Sequence, residues 1–215
     1  NDVVVAISKV TYDIVKTVAP EVDSSYIPHA VEADIFKPID KEAVKTFKAQ
    51  KGLDNKFVCF WNSRNARRKQ SGTLIWWFKE FLDRVGHDKA TLIMHTDVKD
   101  VHGQDLEAII HELGLTGGEV LFSREKVDPA SLAMMYNMAD VTINISDAEG
   151  FGLSGLESLS SGTPIIVTMT GGLQAQVTDG ENWYGIGIEP ASKAIIGSQD
   201  VPFIYEDRLN KDDFI

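Results

Sequence analysis

From Lys56 onward the sequence alternates between short apolar runs and amphipathic segments, and this alternation constrains the fold more than any other feature. The apolar runs predict buried strands at residues 57–61, 91–95, 120–122, 141–145 and 164–167. Helical spacing predicts helices over residues 73–85, 106–113, 129–139 and 152–161, with a short helix after Gly172. Alternating strands and helices form right-handed βαβ crossovers, so we expect an α/β fold with a doubly wound parallel sheet. Its ligands should bind beyond the carboxyl ends of the strands.

The first 38 residues follow a different pattern. Residues 3–7 predict a strand, residues 10–18 a helix and Tyr26-Ile27 a short strand. Residues 28–38 lack periodicity and are bracketed by prolines, which is typical of a linker. We therefore expect residues 1–38 to be the end of a preceding domain with its linker, and residues 39–215 to be a second domain. Because the first residue is asparagine, we do not expect it to be the natural start.

Charge and cysteine content narrow the classes of partner. The 215 residues carry a formal net charge of -11, which argues against nucleic acid or an anionic membrane as a general partner. The single cysteine, Cys59, lies in an apolar run, so a reducing compartment fits and nothing nearby would make the thiol a nucleophile. We expect a cytoplasmic protein without a transmembrane segment, whose full-length form could be peripheral to a membrane.

The segment from Ser146 to Glu157 carries the most informative chemistry. Gly150 and Gly152 let a backbone approach a ligand closely. A helix that begins near Gly152 presents unpaired N–H groups and the positive end of its dipole, which suits a diphosphate. Glu149 precedes this helix, and Glu157 lies roughly 7–8 Å along its axis at ~1.5 Å per residue.

A nucleoside diphosphate sugar has a layout that matches this segment. It consists of a hydroxyl-rich sugar, a diphosphate and a hydroxyl-rich ribose, and carboxylates accept paired hydrogen bonds from neighbouring hydroxyls. One acid can therefore hold the sugar, the start of the helix the phosphates, and the other acid the ribose. We expect such a donor to be the ligand.

A basic segment follows the first strand of the second domain and belongs to the same edge of the sheet. Its four cations lie within six residues, at Arg64, Arg67, Arg68 and Lys69. On a leaving nucleoside diphosphate they would neutralise the charge that develops as the glycosidic bond breaks. The alternative is a solvated basic loop.

Taken together, these motifs resemble those of retaining glycosyltransferases of the two-domain GT-B type, the glycogen-synthase-like group. Glu149 and Glu157, embedded in Glu-Gly-Phe-Gly-Leu-Ser-Gly-Leu-Glu, resemble the family's E-x7-E signature. Arg64 and Lys69 are similar to its phosphate-binding arginine and lysine. Four further stretches resemble family motifs in the same order, at residues 26–32, 136–141, 170–173 and 178–182.

The resemblance implies a Rossmann-like nucleotide-sugar-binding domain at residues 39–215, the C-terminal domain of such an enzyme. It implies a hexosyltransferase that retains the anomeric configuration of the transferred sugar. We expect neither a cofactor nor a metal for this chain, and the acceptor, a saccharide, lipid or protein, stays open. Because most of the acceptor domain and the carboxy-terminal helix are absent from these residues, we expect this chain to bind donor but to transfer little or no sugar.

The resemblance also implies a role for each site residue. Glu149 would be the catalytic residue near the reacting carbon, and Glu157 would hold the ribose. The diphosphate would be gripped by Arg64 and Lys69, although Arg68 beside Lys69 leaves the second cation open by one residue. The backbone amides of Phe151, Gly152 and Leu153 would face the sugar and the distal phosphate, and Gly150 in the same loop would also bind the substrate.

Three alternatives stay open. Gly150, Gly152 and Gly155 match a dinucleotide-binding fingerprint, but they fall in a late βα turn and no acid follows the next strand. A GT-B relative with other chemistry, such as an epimerase or a phosphorylase, and a non-catalytic nucleotide-sugar binding module are the other two. The five histidines form no metal-spaced set, so we expect no metal site.

Overall fold

The computed structural model describes residues 3–215 and contains one large parallel sheet with helices on both faces. The strands are β1 Val3–Ala6, β2 Asp23–Tyr26, β3 Phe57–Asn62, β4 Ala90–His95, β5 Val120–Ser123, β6 Val141–Asn144, β7 Ile165–Thr168, β8 Gly185–Ile188, β9 Ser192–Ile195 and β10 Tyr205–Arg208. The α-helices are α1 Lys9–Val18, α2 Lys41–Gln50, α3 Ser71–Val85, α4 Leu106–Glu112, α5 Pro129–Met138, α6 Leu153–Ser160, α7 Gln174–Val177 and α8 Lys211–Phe214. Two 3-10 helices span Arg67–Lys69 and Gly171–Leu173. From Lys56 to Gly172, every predicted strand and helix is confirmed to within two residues.

The six strands of the main sheet are parallel and lie in the order β5-β4-β3-β6-β7-β8. From the central strand β3 the chain moves outward on one side through β4 and β5. It then returns to β6 on the other side of β3 and moves outward again. The crossovers that leave β3 and β6 therefore diverge, and they open a crevice at the carboxyl ends of these two strands.

Both faces of the sheet are buried, which explains why its strands read as continuous apolar runs. Along β3, Cys59 and Trp61 pack under α3 and α4, whereas Val58 and Phe60 pack under α2 and α5. This alternation is the two-residue period of a strand with a hydrophobic core on each side. Burial raises the pKa of the Cys59 thiol to about 12, with a contribution from Asp140, which keeps the thiol protonated.

The amino-terminal segment forms a separate, small parallel sheet from β1 and β2, and α1 has no buried residue. Residues 27–40, which include the predicted linker, contain no helix or strand, and Phe36 is buried in the core against α5. The sequence pattern did not predict the helix α2. None of its residues is fully buried, so its apolar stripe is weak.

The carboxy-terminal segment also contains elements that the sequence pattern did not reveal. Strands β9 and β10 form an antiparallel hairpin, and the backbone N–H of Asp207 donates to the carbonyl oxygen of Asp147. The short helix α8 then places Phe214 5.5 Å from Trp77, between ring centroids. The hairpin therefore packs on the loop that follows β6. Across residues 3–215, no helix is long and apolar enough to cross a lipid bilayer.

Candidate functional site

An open cavity of about 390 Å³ lies at the carboxyl ends of β3 and β6, in the crevice that the strand order creates. Six residues predicted for the site line it together: Lys69, Glu149, Phe151, Gly152, Leu153 and Glu157. Gly150 lies in the same loop but is not part of the lining. The remaining lining residues are Ile7, His29, Asn62, Ser63 and Ser154. The structure therefore brings the predicted acids and one predicted cation to one place.

The amino end of α6 forms part of the cavity wall. Gly152 precedes the helix with φ 88°, in the left-handed region, and no side chain caps the helix. A methyl group at this position would lie 2.6 Å from Leu173 Cδ2, so both the backbone and the space require glycine. Because the end is uncapped, the first N–H groups of the helix are available to a ligand, and the helix dipole favours an anion there.

A second glycine pair supports the loop that carries Glu149. The N–H of Gly172 donates to the carbonyl oxygen of Glu149 at 3.0 Å, and side chains at Gly171 or Gly172 would collide with the backbone of residues 149–151. The Gln176 amide adds hydrogen bonds to the carbonyl oxygens of Phe151 and Gly152, at 2.6 and 3.1 Å. The segment 170–173 matched a family motif in the sequence, and its structural role is this support.

Glu149 and Lys69 form an ion pair through the Glu149 Oε2 atom. Both side chains are only 11% exposed. The Arg68 guanidinium lies 3.4 Å from the same carboxylate oxygen and donates to the carbonyl of Ala148 at 2.7 Å. Burial lowers the pKa of Lys69, and the Glu149 carboxylate opposes that shift. A phosphate could replace Glu149 as the partner of the Lys69 ammonium, because the ammonium donates. A set of hydroxyl groups could replace Lys69 as the partner of the Glu149 carboxylate, because the carboxylate accepts.

The other two cations of the basic segment point to different acids. The Arg64 guanidinium binds Asp100 through two contacts of 2.6 and 3.0 Å, and hydrogen bonding to Arg64 lowers the pKa of Asp100 to about 2. The Arg67 guanidinium forms a two-point contact with Glu206 at 2.8 Å each. Arg64, predicted to bind the diphosphate, is thus not among the cavity-lining residues.

A buried tyrosine forms a hydrogen bond with the Glu157 carboxylate. Tyr136 Oη donates to Glu157 Oε2 at 2.6 Å and accepts from Asn62 Nδ2 at 2.8 Å. Burial raises the pKa of Glu157 and raises that of Tyr136 well above its ordinary value. The sequence showed Tyr136 within a family motif and Asn62 at the strand end, but it gave no signal that the two residues support Glu157.

A charged cluster fixes the two site loops to each other and to the β9–β10 hairpin. Asp147, which is 4% exposed, accepts from Gln70 Nε2 at 2.5 Å and pairs with Arg208 at 2.8 Å. Gln70 follows Lys69 directly and has φ 56°, the one left-handed non-glycine residue between residues 3 and 215. Strained backbone persists where the surroundings hold it, and Asp147 holds Gln70.

The cavity lining contains one histidine and two glutamates. His29 is the one histidine in the lining, and its ring meets Phe151 edge-on at 5.1 Å between centroids. His95, at the end of β4, is hydrogen-bonded through Nδ1 to Ser123 Oγ at 2.9 Å. Within the part of the chain that the structure describes, no three or more His, Cys, Asp or Glu side chains group as a metal ion would require.

Known proteins are similar to this chain in sequence and in fold. D-inositol 3-phosphate glycosyltransferase of Corynebacterium jeikeium is 29% identical over 161 residues, which are 73% of this chain and 38% of that protein. Sucrose-phosphate synthase from Thermosynechococcus elongatus superposes with a TM-score of 0.71 at 26% identity, over 89% of this chain and 46% of its own. HepE of Anabaena, solved in complex with UDP and glucose, gives a TM-score of 0.71 at 21% identity, over 88% and 50%.

The chain spans half or less of the length of these relatives. Their likeness confirms the predicted α/β fold, with a parallel six-stranded sheet of the kind found in GT-B glycosyltransferases. The family model described as "Glycosyl transferases group 1" matches residues 44–197, which is well over half of the chain and includes the whole cavity-forming loop. The chain therefore belongs to the group 1 glycosyl transferases.

Proposed function

We propose that residues 39–215 form the donor-binding domain of a retaining GT-B glycosyltransferase, and that residues 1–38 are the end of its acceptor domain with the linker. The enzyme would move a hexosyl group from a nucleotide-diphosphate sugar to an acceptor. One observation carries the proposal: a single cavity holds Glu149 with Lys69 at the amino end of α6, and Glu157 farther along the same helix.

The binding roles follow from charge and position. The diphosphate is an anion, so it lies at the uncapped start of α6, where Leu153 and Ser154 line the cavity, and against the Lys69 ammonium. Lys69 then exchanges the Glu149 carboxylate for a phosphate. The freed carboxylate accepts hydrogen bonds from the hydroxyls of the donor sugar, and Glu157 accepts them from the ribose.

The same groups favour the transfer step. Transfer breaks the bond between the anomeric carbon and the diphosphate oxygen, and it forms a bond from that carbon to an acceptor hydroxyl oxygen. The departing diphosphate keeps the electron pair, and it takes up the proton that the acceptor hydroxyl loses. Lys69 and the N–H groups of α6 stabilise the negative charge on the leaving group. Glu149 stands closest to the reacting carbon and is the catalytic residue of the proposal. No metal takes part.

The relatives are the only guide to which nucleotide base the donor carries and which class of acceptor receives the sugar. HepE was solved with UDP and glucose, so a UDP-sugar is the first donor to test. D-inositol 3-phosphate glycosyltransferases are the named relatives in sequence, and a small hydroxylated acceptor fits the reaction. Because the chain spans half or less of its relatives, we expect these 215 residues alone to bind donor and to transfer little or no sugar.

A thermal-shift panel of UDP-, GDP- and ADP-sugars tests the proposal, because a ligand that binds only the folded state stabilises it. A donor at about 100 times its Kd adds about 2.7 kcal/mol, which raises the Tm of a chain of this size by about 5–10 °C. The variant Glu157→Ala should lose that shift. The control Glu125→Ala, at an exposed position outside the cavity, should keep it. If no nucleotide sugar shifts the wild-type Tm, the proposal is wrong.

A further inference from the structure

Tyr136 combines a core side chain with a hydroxyl that reaches the site. The residue lies on α5 and is 0% exposed. Its ring packs edge-on against Phe60 at 5.0 Å and against Phe36 at 6.1 Å, between centroids. Its Oη atom lies at the edge of this core and donates a hydrogen bond to Glu157, which lines the cavity. The ring therefore fixes where the hydroxyl can be.

The hydrogen-bond directions along this chain of contacts are determined by the groups involved. An ionised carboxylate only accepts, so Tyr136 must donate its single hydrogen to Glu157 Oε2. The Tyr136 oxygen is then an acceptor for Asn62, which presents Nδ2 at 2.8 Å. Asn62 ends β3 and Tyr136 belongs to α5, so two different elements fix the plane of the Glu157 carboxylate.

We infer that Tyr136 is a positioning residue that makes Glu157 selective for a ribose with both of its hydroxyls. The inference rests on the proposed role of Glu157 in ribose binding. A pair of adjacent hydroxyls is recognised by a carboxylate only if the carboxylate plane is fixed, since both oxygens must meet their partners at once. Tyr136 uses one site on Oε2 and leaves the other acceptor sites of the carboxylate to the ligand.

The substitution Tyr136→Phe separates the hydroxyl from the ring. The ring keeps its packing against Phe60 and Phe36, and only the contact to Glu157 and Asn62 is lost. Thr163→Val is the matched control, because Thr163 Oγ1 donates to the backbone carbonyl of Tyr136 at 2.7 Å and does not touch the hydroxyl. The Thr163→Val substitution disturbs the same buried region but leaves the hydrogen bond between Tyr136 and the Glu157 carboxylate in place.

The experiment is calorimetric titration of the 215-residue chain with UDP, GDP and ADP, each paired with its 2′-deoxy form. For the nucleotide that binds best, the wild type should prefer the ribo form about tenfold, which is typical of a hydrogen bond to a charged group. Tyr136→Phe should reduce that preference to less than about threefold by weakening the ribo form alone. Thr163→Val should lower the Tm and keep the wild-type preference.

Each remaining outcome is decisive. If the wild type prefers the ribo form and Tyr136→Phe keeps the same preference, the inference is overturned while the proposed function stands. If the wild type binds none of the six nucleotides, both fall. Should Tyr136→Phe not fold, a crystal structure of the wild type with the bound ribonucleotide takes its place, and a Glu157 carboxylate that holds the ribose after leaving Tyr136 Oη overturns the inference.

The pH profile of ribonucleotide binding gives a second readout that loss of packing would not change. The hydrogen bond from Tyr136 lowers the pKa of Glu157 against the opposing effect of burial. Its removal should therefore move the acidic limb of the binding curve to higher pH. The other titratable groups at the cavity are Lys69, Glu149 and His29. A limb that does not move in Tyr136→Phe contradicts the positioning role.

Discussion

Lys69 and Glu149, from loops that follow two different strands, form an ion pair with both side chains 11% exposed. The strands β3 and β6 are neighbours in the sheet, although the 78 residues from 63 to 140 lie between them in the chain and include β4 and β5 on the other side of β3. The crossover back to β6 is what brings Lys69 and Glu149 together.

This pair gives the first prediction. Lys69→Met should lower the free energy of unfolding by about 1–3 kcal/mol, because it leaves the Glu149 carboxylate with only the more distant Arg68. The double variant Lys69→Met/Glu149→Gln should recover most of that loss, since neither charge is then left unpaired. Neither variant should bind UDP as the wild type does. Urea denaturation and calorimetry measure the two effects, and recovery of UDP binding in the double variant would contradict the role of Lys69.

The start of α6 gives the second prediction. Gly152→Ala should cost about 1–3 kcal/mol and weaken donor binding, because alanine at φ 88° is strained and its methyl group would meet Leu173. Gly180→Ala is the matched control, since Gly180 has φ 98° but open space around its Cβ position. The control should lose stability through backbone strain and bind donor normally. Equal donor binding by both variants would show that the geometry at Gly152 is not needed.

The third prediction concerns pH. Burial raises the pKa of Glu157, so the carboxylate takes up a proton earlier than a free glutamate as the pH falls. Only the ionised form accepts hydrogen bonds at both oxygens, so affinity for a nucleotide sugar should fall as the pH is lowered and Glu157 takes up its proton, and this fall should begin at a higher pH than for a free glutamate. Glu157→Gln should bind weakly with little pH dependence, whereas His29→Gln should keep the acidic limb. A limb that disappears with His29 would assign the titration to the histidine.

The fourth prediction concerns the cluster around Asp147. Arg208→Met should lower the free energy of unfolding by about 2–3 kcal/mol, because it removes a partner of the buried Asp147 and Glu206. Burial raises the pKa of Asp147, so its folded state holds the proton more tightly and stability is lost as the pH rises through the folded pKa. Without Arg208 that pKa rises further, so the loss should become smaller as the pH falls and Asp147 takes up its proton. Arg124→Met, at an exposed ion pair, should change stability little.

The sequence predicted the sheet and the place of the site because both depend on local signals. Apolar runs mark buried strands, and the glycines at 150 and 152 mark a loop that opens a helix. The contacts within the site depend on distant residues instead. Tyr136 and Glu157 meet through the packing of α5 beside α6, and Arg67 meets Glu206 across 139 positions. Nothing in a local pattern distinguishes such pairs.

The elements that the sequence missed have weak local signals. The helix α2 has no buried residue, so its sequence lacks a strong apolar period. The strands β9 and β10 pair only with each other, and their sequences lack such a period as well. The sequence also did not predict the ion pair between the Arg64 guanidinium and Asp100, which competes with a diphosphate for that guanidinium. Its contact with the diphosphate stays a prediction.

A crystal structure of the chain with the nucleotide sugar that gives the largest thermal shift tests the central claim most directly. We expect the diphosphate at the amino end of α6 with Lys69 moved from Glu149 to a phosphate oxygen, and the ribose hydroxyls within hydrogen-bond distance of Glu157. A nucleotide bound away from this cavity, or one whose ribose lies on the side of Glu149, would contradict the account.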